Sequence, residues 1–152
     1  MRPGLNLKQK ITEHLKEAMR SGETKRRDAI RLLQAAIKQR EVDSRVEMDD
    51  AAVIVIIDKM IKQRKDSMTQ YIAAKRRDLA DIERYEISVL ENYMPEALSD
   101  FEIENMVEET ISLIGAKKQK EMGIVIAKLK PKLAGRADMG KVASLVKERL
   151  AV

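Results

Sequence analysis

Hydrophobic residues recur every three to four positions along the chain, and that spacing predicts seven helices. The first runs from about Leu7 to Met19, with Leu7, Ile11, Leu15, Ala18 and Met19 on one face. Asn6 with Gln9 three residues on reads as a capping box, and Gly22 as the C-terminal stop. The second begins after Thr24, carries Ile30, Leu33, Ala36 and Ile37, and fades near Val42 to Ser44. The third opens at Asp49-Asp50. Its β-branched centre, Val53 to Ile57, would suit a buried strand, but Met60, Ile61, Met68 and Ile72 continue it at helical spacing. A strand would also have no partner in this sequence, so one long helix is expected.

The fourth helix begins near Asp78 and is expected to place Leu79, Ile82, Val89, Leu90 and Tyr93 inward. Pro95 ends it, because proline disfavours the helical conformation at the residue before it. Ser99-Asp100-Phe101-Glu102 then restarts the chain as a capping box, with Leu98 and Ile103 at the two staple positions. Ile103, Met106, Val107, Thr110, Ile111 and Ile114 mark the fifth helix, which Gly115 stops. The sixth is expected from about Glu121 to Lys130, bounded by Pro131, and the seventh from Asp138 with Val142, Leu145, Val146 and Leu150 buried.

Pro95 is therefore the expected boundary between residues 1–95, four helices with a long hairpin, and residues 96–152, three short ones. The heptad frame Val53, Ile57, Met60 next meets Arg64 and Ser67, so a bundle is expected rather than a coiled coil. The fold class is all-α.

Composition then removes several functions. The 152 residues contain no Cys and one His, His14, which excludes a disulfide framework, thiolate chemistry and histidine-rich metal clusters. Four aromatics (Tyr71, Tyr85, Tyr93, Phe101) are too few for base-stacking platforms. No glycine-rich phosphate loop or nucleophile elbow is present. The longest apolar run, Ala51 to Ile57, falls far short of the roughly 20 residues a membrane span needs. Nor does Met1 to Leu7 resemble the apolar core of a secretory signal, so a cytosolic protein without membrane contact is expected.

Charge is distributed unevenly beneath a net +5. Residues 96–114 carry six acids and no base, whereas 115–152 carry ten bases and three acids. A basic helical unit of that kind is the electrostatic footprint of a polyanion binder. Lys117, Lys118, Lys120, Lys128, Lys132, Arg136 and Lys141, around the approaches to the sixth and seventh helices, are the candidate phosphate contacts. Helix N-termini after Gly115 and Gly135 would add free N–H groups. Against this, the lysines could simply solvate a small unit and pair with the acidic fifth helix, and Gly115, Gly135 and Asp138 could be ordinary stops and caps. Lys147 and Arg149 lie in the last helical turn, where their charge suits the dipole. Lys62, Arg64 and Lys65, with Lys75-Arg76-Arg77, read as a solvated helix face with a second polyanion contact as the alternative.

Taken together, Tyr93-Met94-Pro95, Leu98-Ser99, Gly115-Ala116, Glu121-Met122-Gly123 and the run Pro131 to Asp138 resemble the GatB/YqeY family. Arg31-Leu32-Leu33, Ala36-Ile37-Lys38 and Lys62 to Ser67 extend the resemblance to stand-alone YqeY-like proteins over essentially the whole chain. One departure is Ala116-Lys117-Lys118-Gln119, where relatives often place a Ser or Thr cap. The resemblance implies a four-helix domain followed by a three-helix domain similar to the tail of GatB, the amidotransferase subunit that holds mischarged tRNA. It thus implies tRNA or another structured RNA as partner, with an aminoacyl-tRNA-handling enzyme as a further one.

The family label also suggests a carbon–nitrogen ligase using glutamine as amide donor, but the residues argue against chemistry of the chain's own. Glutamine hydrolysis needs an activated Cys or Ser, and Ser44, Ser67, Ser88, Ser99, Ser112 and Ser144 sit in cap, loop or helix contexts. The Asp49-Asp50 pair reads as a helix cap rather than a cation site. His14 reads as structural or solvated, and no catalytic residue, metal or cofactor is expected. The expected function is an accessory RNA-binding protein. The alternatives are a protein-interaction adaptor docking through the acidic fifth helix and the basic end, or a ligase component.

Overall fold

The computed structural model describes residues 4–150. Among them are seven α-helices and no strand: α1 Leu7–Ser21, α2 Thr24–Ser44, α3 Asp50–Ala73, α4 Arg77–Glu91, α5 Asp100–Ile114, α6 Met122–Leu133 and α7 Met139–Leu150. A 3₁₀ turn, Gln119–Glu121, leads into α6. The protein is all-α. The helices fall into two compact units that divide between Met94 and Pro95.

In the first unit, Ile11, Ile30, Leu33, Val53, Ile57 and Leu90 form the centre of a core shared by all four helices. Caps define where those helices begin. The Asn6 side chain accepts from the Gln9 N–H at 2.8 Å, and the Gln9 side chain accepts from the Asn6 N–H at 3.0 Å, completing the capping box. Asp49 caps its own helix by accepting from the Ala52 N–H at 2.9 Å. Its neighbour Asp50 instead accepts from the Leu7 N–H, at 2.9 Å, and so caps α1 from 43 residues away. The acidic pair is thus two caps, one local and one that ties α3 to α1.

Two inward assignments are corrected. Met19 is 53% exposed and Ile82 is 55% exposed. Met19 directly follows Ala18, which is buried, and a helix turns by about 100° per residue, so Ala18 takes the inner place. On α4 the inner face is set by Ala80, Ile87 and Leu90, which leaves Ile82 outside it.

The α3–α4 hairpin also revises the reading of the heptad frame. Val53, Ile57 and Met60 are buried, and the same 4–3 spacing continues through Arg64, Ser67 and Tyr71, all half-buried. Arg64 does not break the seam; it enters it. Its Nε donates to the Glu86 carboxylate on α4 at 2.7 Å, with both side chains under 20% exposed. Burial, and then the adjacent Glu86 charge, raise the pKa of nearby Glu83, while Arg64 opposes the shift. A cation was legible at this position, but its buried acceptor was not.

The second unit has its own core of Val107, Leu129, Leu133, Val142 and Val146, each at 0% exposure. Ser99 caps α5: its hydroxyl accepts from the Glu102 N–H at 3.2 Å and donates to the Glu102 carboxylate at 3.1 Å. Leu98 and Ile103, the staple pair, both pack on this core. Contrary to expectation, α6 does not end before Pro131; the proline lies inside it and the helix continues to Leu133. A proline in the last turn removes one helical hydrogen bond, and the continued helix buries Leu133 completely, which offsets that loss.

Candidate nucleic-acid interface

The candidate cations occupy three stretches of the second unit. Lys117, Lys118 and Lys120 lie on the approach to α6, all exposed. There Gly115 takes the left-handed conformation (φ 75°) that ends α5 and lets the chain reverse. Lys128 and Lys132 stand one turn apart on α6, each just before a buried leucine, Leu129 and Leu133. Lys132 shares a depression with Met106, Glu109, Thr110 and Leu113, which puts this lysine row on the α5 side of α6. Arg136 and Lys141 flank the start of α7 and line a different depression, bordered by Asp100, Glu104 and Glu148. The seven thus fall into a lysine-rich approach to α6, a Lys128–Lys132 row on α6 and an Arg136–Lys141 pair among carboxylates.

Three backbone N–H groups in these stretches already have a carboxylate acceptor. The Lys117 and Lys118 N–H groups both donate to the Glu121 carboxylate, at 3.1 and 3.2 Å. At α7 the Gly140 N–H donates to the Asp138 carboxylate at 2.8 Å. The chain's own acids thus occupy three of the backbone N–H groups that a phosphate could use near these helix starts.

Arg136 differs from the lysines. Its Nε donates to the Glu96 carbonyl at 3.2 Å, its own carbonyl accepts from the Leu98 N–H at 2.9 Å, and it is half-buried. It holds the segment leading into α5. Lys117, Lys118, Lys120, Lys128, Lys132 and Lys141 are all exposed, and among the described residues none forms an ion pair. Among the described residues only Arg149 pairs with the acidic helix, through Glu108. The idea that the basic end serves to neutralise α5 is therefore not what the side chains do.

Elsewhere, among the described residues, three of the six cations of the alternative site are paired. Lys62 pairs with Asp58 at 3.0 Å, Arg64 with Glu86 and Arg76 with Asp78 at 3.1 Å. His14 Nδ1 lies 2.7 Å from the Tyr93 hydroxyl, and their rings stack at a tilt, which gives the single histidine a structural partner. Burial pushes the Tyr93 phenol up to about 12. Three of the candidate serine hydroxyls bond their own helices: Ser44 donates to the Arg40 carbonyl, Ser88 to the Tyr85 carbonyl and Ser144 to the Gly140 carbonyl. That arrangement serves helix ends and turns rather than nucleophilic attack. Among the described residues no cluster of acids and histidine suits a metal ion, and no helix is long and apolar enough to cross a membrane.

A family model described as Yqey-like protein matches residues 8–150. The chain belongs to the YqeY-like family. Its relatives include proteins named altered inheritance of mitochondria protein 41, mitochondrial. The one from Kluyveromyces lactis is 31% identical over 133 residues, covering 87% of this chain and 71% of that protein. Those from Candida glabrata and Saccharomyces cerevisiae strain YJM789 are 34% identical over 88 residues and 30% identical over 106. These two matches cover 57% and 68% of this chain, but only 48% and 57% of the relatives. The family match and these names indicate no catalytic function.

The relatives overturn one expectation. Each is named as a mitochondrial protein, which conflicts with a cytosolic assignment. The sequence argument failed for a physical reason: it excluded an apolar secretory leader, whereas mitochondrial targeting segments are amphipathic and arginine-rich. Lack of a long apolar run has no bearing on them.

Proposed function

We propose that this YqeY-like protein binds structured RNA, most plausibly tRNA, through the lysines of its second unit. The observation that carries the reading is the set of six exposed lysines without ion pairs in a unit whose own acidic helix stands beside them. Exposed ammonium groups keep their hydration and condense readily on a phosphodiester backbone, releasing its counterions. Resemblance of this unit to the tRNA-contacting tail of GatB supports the same partner. Binding is then shape- and charge-directed, because the unit's one aromatic residue, Phe101, offers no platform for stacking bases.

The test uses the full chain, a folded tRNA transcript and a salt series. Lys118→Gln, Lys128→Gln and Lys132→Gln together remove three unpaired charges and spare Arg136, whose bonds hold the backbone. Each lost phosphate contact should flatten the slope of log K against log salt by about 0.7 to 0.9. A folded variant with wild-type affinity and slope would exclude this surface.

An adaptor role is the second reading, favoured by Phe101 and Leu113 of α5, which are 70% and 76% exposed. Large apolar side chains in an acidic setting suit a protein partner. Salt-insensitive capture of a protein by the same lysine variant would favour it.

A further inference from the structure

The first unit's hairpin runs out of core well before its tip. Between Ile61 and Ile87 the only buried residue is Ala80. The Arg64–Glu86 pair stands at the edge of the buried core; beyond it Met68, Tyr71 and Leu79 are half-buried, and Ile72 and Ile82 stand exposed. At the tip the chain carries three consecutive bases, Lys75-Arg76-Arg77. Arg76 is occupied by Asp78, whereas Lys75 and Arg77 are exposed and make no side-chain hydrogen bond or ion pair among the described residues.

The backbone adds a second, independent observation. Lys75 has φ 59° and closes α3 with the turn that the chain elsewhere gives to glycine: its N–H donates to the Ile72 carbonyl, and the Arg76 N–H to the Tyr71 carbonyl at 2.8 Å. Gly22, Gly115 and Gly135 occupy left-handed positions after α1, α5 and α6. A side chain in that conformation crowds its own carbonyl and is disfavoured relative to glycine. Arg45, after α2, is the other described non-glycine residue there. A cation gains something from the negative end of the helix. That gain applies to any base within the last turn, however, and does not require it at the one strained position.

We infer that the hairpin tip is a second phosphate contact for structured RNA, with Lys75 and Arg77 as its ammonium and guanidinium donors. This rests on the RNA-binding reading but uses a different unit of the chain. Distance from the core leaves both side chains free to follow a backbone, and Arg77 adds the planar fork suited to phosphate oxygens.

Three full-length variants test it against the same folded tRNA transcript over a salt series. Lys75→Gln with Arg77→Gln should weaken binding about three- to tenfold near 0.1 M salt and flatten the salt slope by about 1.4 to 1.8. Lys75→Gly should weaken binding while raising the thermal midpoint by roughly 1 to 4 °C, because it removes the left-handed strain. A lower midpoint would show that Lys75 serves the fold itself and would count against the inference. The Lys118/Lys128/Lys132 variant separates the two sites. If it alone loses affinity, the tip is excluded and the second-unit reading stands. If the tip variant alone loses affinity, the reverse holds, and a wild-type chain without salt-dependent tRNA binding overturns both.

Discussion

The two units treat charge in opposite ways. The first spends it on its own structure. Lys8 of α1 reaches Glu41 of α2 at 2.6 Å and Glu47 of the following loop at 3.3 Å. Bonds from Lys8 and the Met48 N–H hold the Glu41 carboxyl below its usual range. Arg26 reaches back to Glu17 on α1, and Arg64 crosses to Glu86. In the second unit Arg149–Glu108 is the one ion pair among the described residues, although α5 is acidic along its length. Sequence spacing could have supported pairing in either unit. Where charges cross between helices they specify how those helices sit, and where they stay apart they remain available to a partner. Basic composition therefore says little by itself about binding; the pairing state separates structural cations from free ones.

The sharpest way to break that comparison is to remove one core and ask whether the other notices. Leu129→Ala, at a fully buried site of the second unit, should cost about 2–5 kcal/mol. Because that unit has a separate core, denaturation should become biphasic, and limited proteolysis should release the first unit by cutting between about Glu91 and Asp100. A single transition shared by both units would show that they fold as one.

Alkali should strike the first unit through Tyr93. Tyr93 is neutral in the fold with its pKa raised to about 12, against an ordinary value near 10. A raised folded pKa means the contribution is complete below about pH 10 and lost as pH climbs through 12. Tyr93→Phe should abolish that part of the alkaline decline, followed by helical circular dichroism, at the expense of the His14 bond. An unchanged alkaline limb would place its origin elsewhere.

The Arg64–Glu86 pair sharpens the contrast in charge use. Arg64→Ala strands a half-buried carboxylate and should cost about 1–3 kcal/mol. Replacing both partners, Arg64→Met with Glu86→Leu, should recover much of this. Equal loss in single and double variants would deny the pair its role in the seam. Removing lysines from α6, in contrast, should leave the midpoint within about 0.5 kcal/mol of wild type. Between those two lies Ser99→Ala, expected to cost about 1 kcal/mol from the lost α5 cap. An unshifted denaturation midpoint would show that the bond is not needed.

Helix number, most helix limits and both inner caps followed from local signals. The Asn6–Gln9 box, the Ser99 cap and Gly115 are short-range devices whose partners lie within four residues, so the sequence alone determines them. All-α class followed likewise from apolar spacing, and the YqeY-like resemblance from short motifs strung along the whole chain. Tertiary structure decided what depends on distant partners. It made Asp50 a cap for α1, put Arg64 inside the hairpin seam against Glu86, and carried α6 through Pro131 to bury Leu133. It also turned Arg136 toward the Glu96 carbonyl and gave the Lys117, Lys118 and Gly140 amides to Glu121 and Asp138, while leaving the six candidate lysines without an ion pair among the described residues. Spacing along one helix reports which face is apolar. Whether a charge on that face meets an opposite charge depends on another helix, and that meeting is fixed only when the cores close.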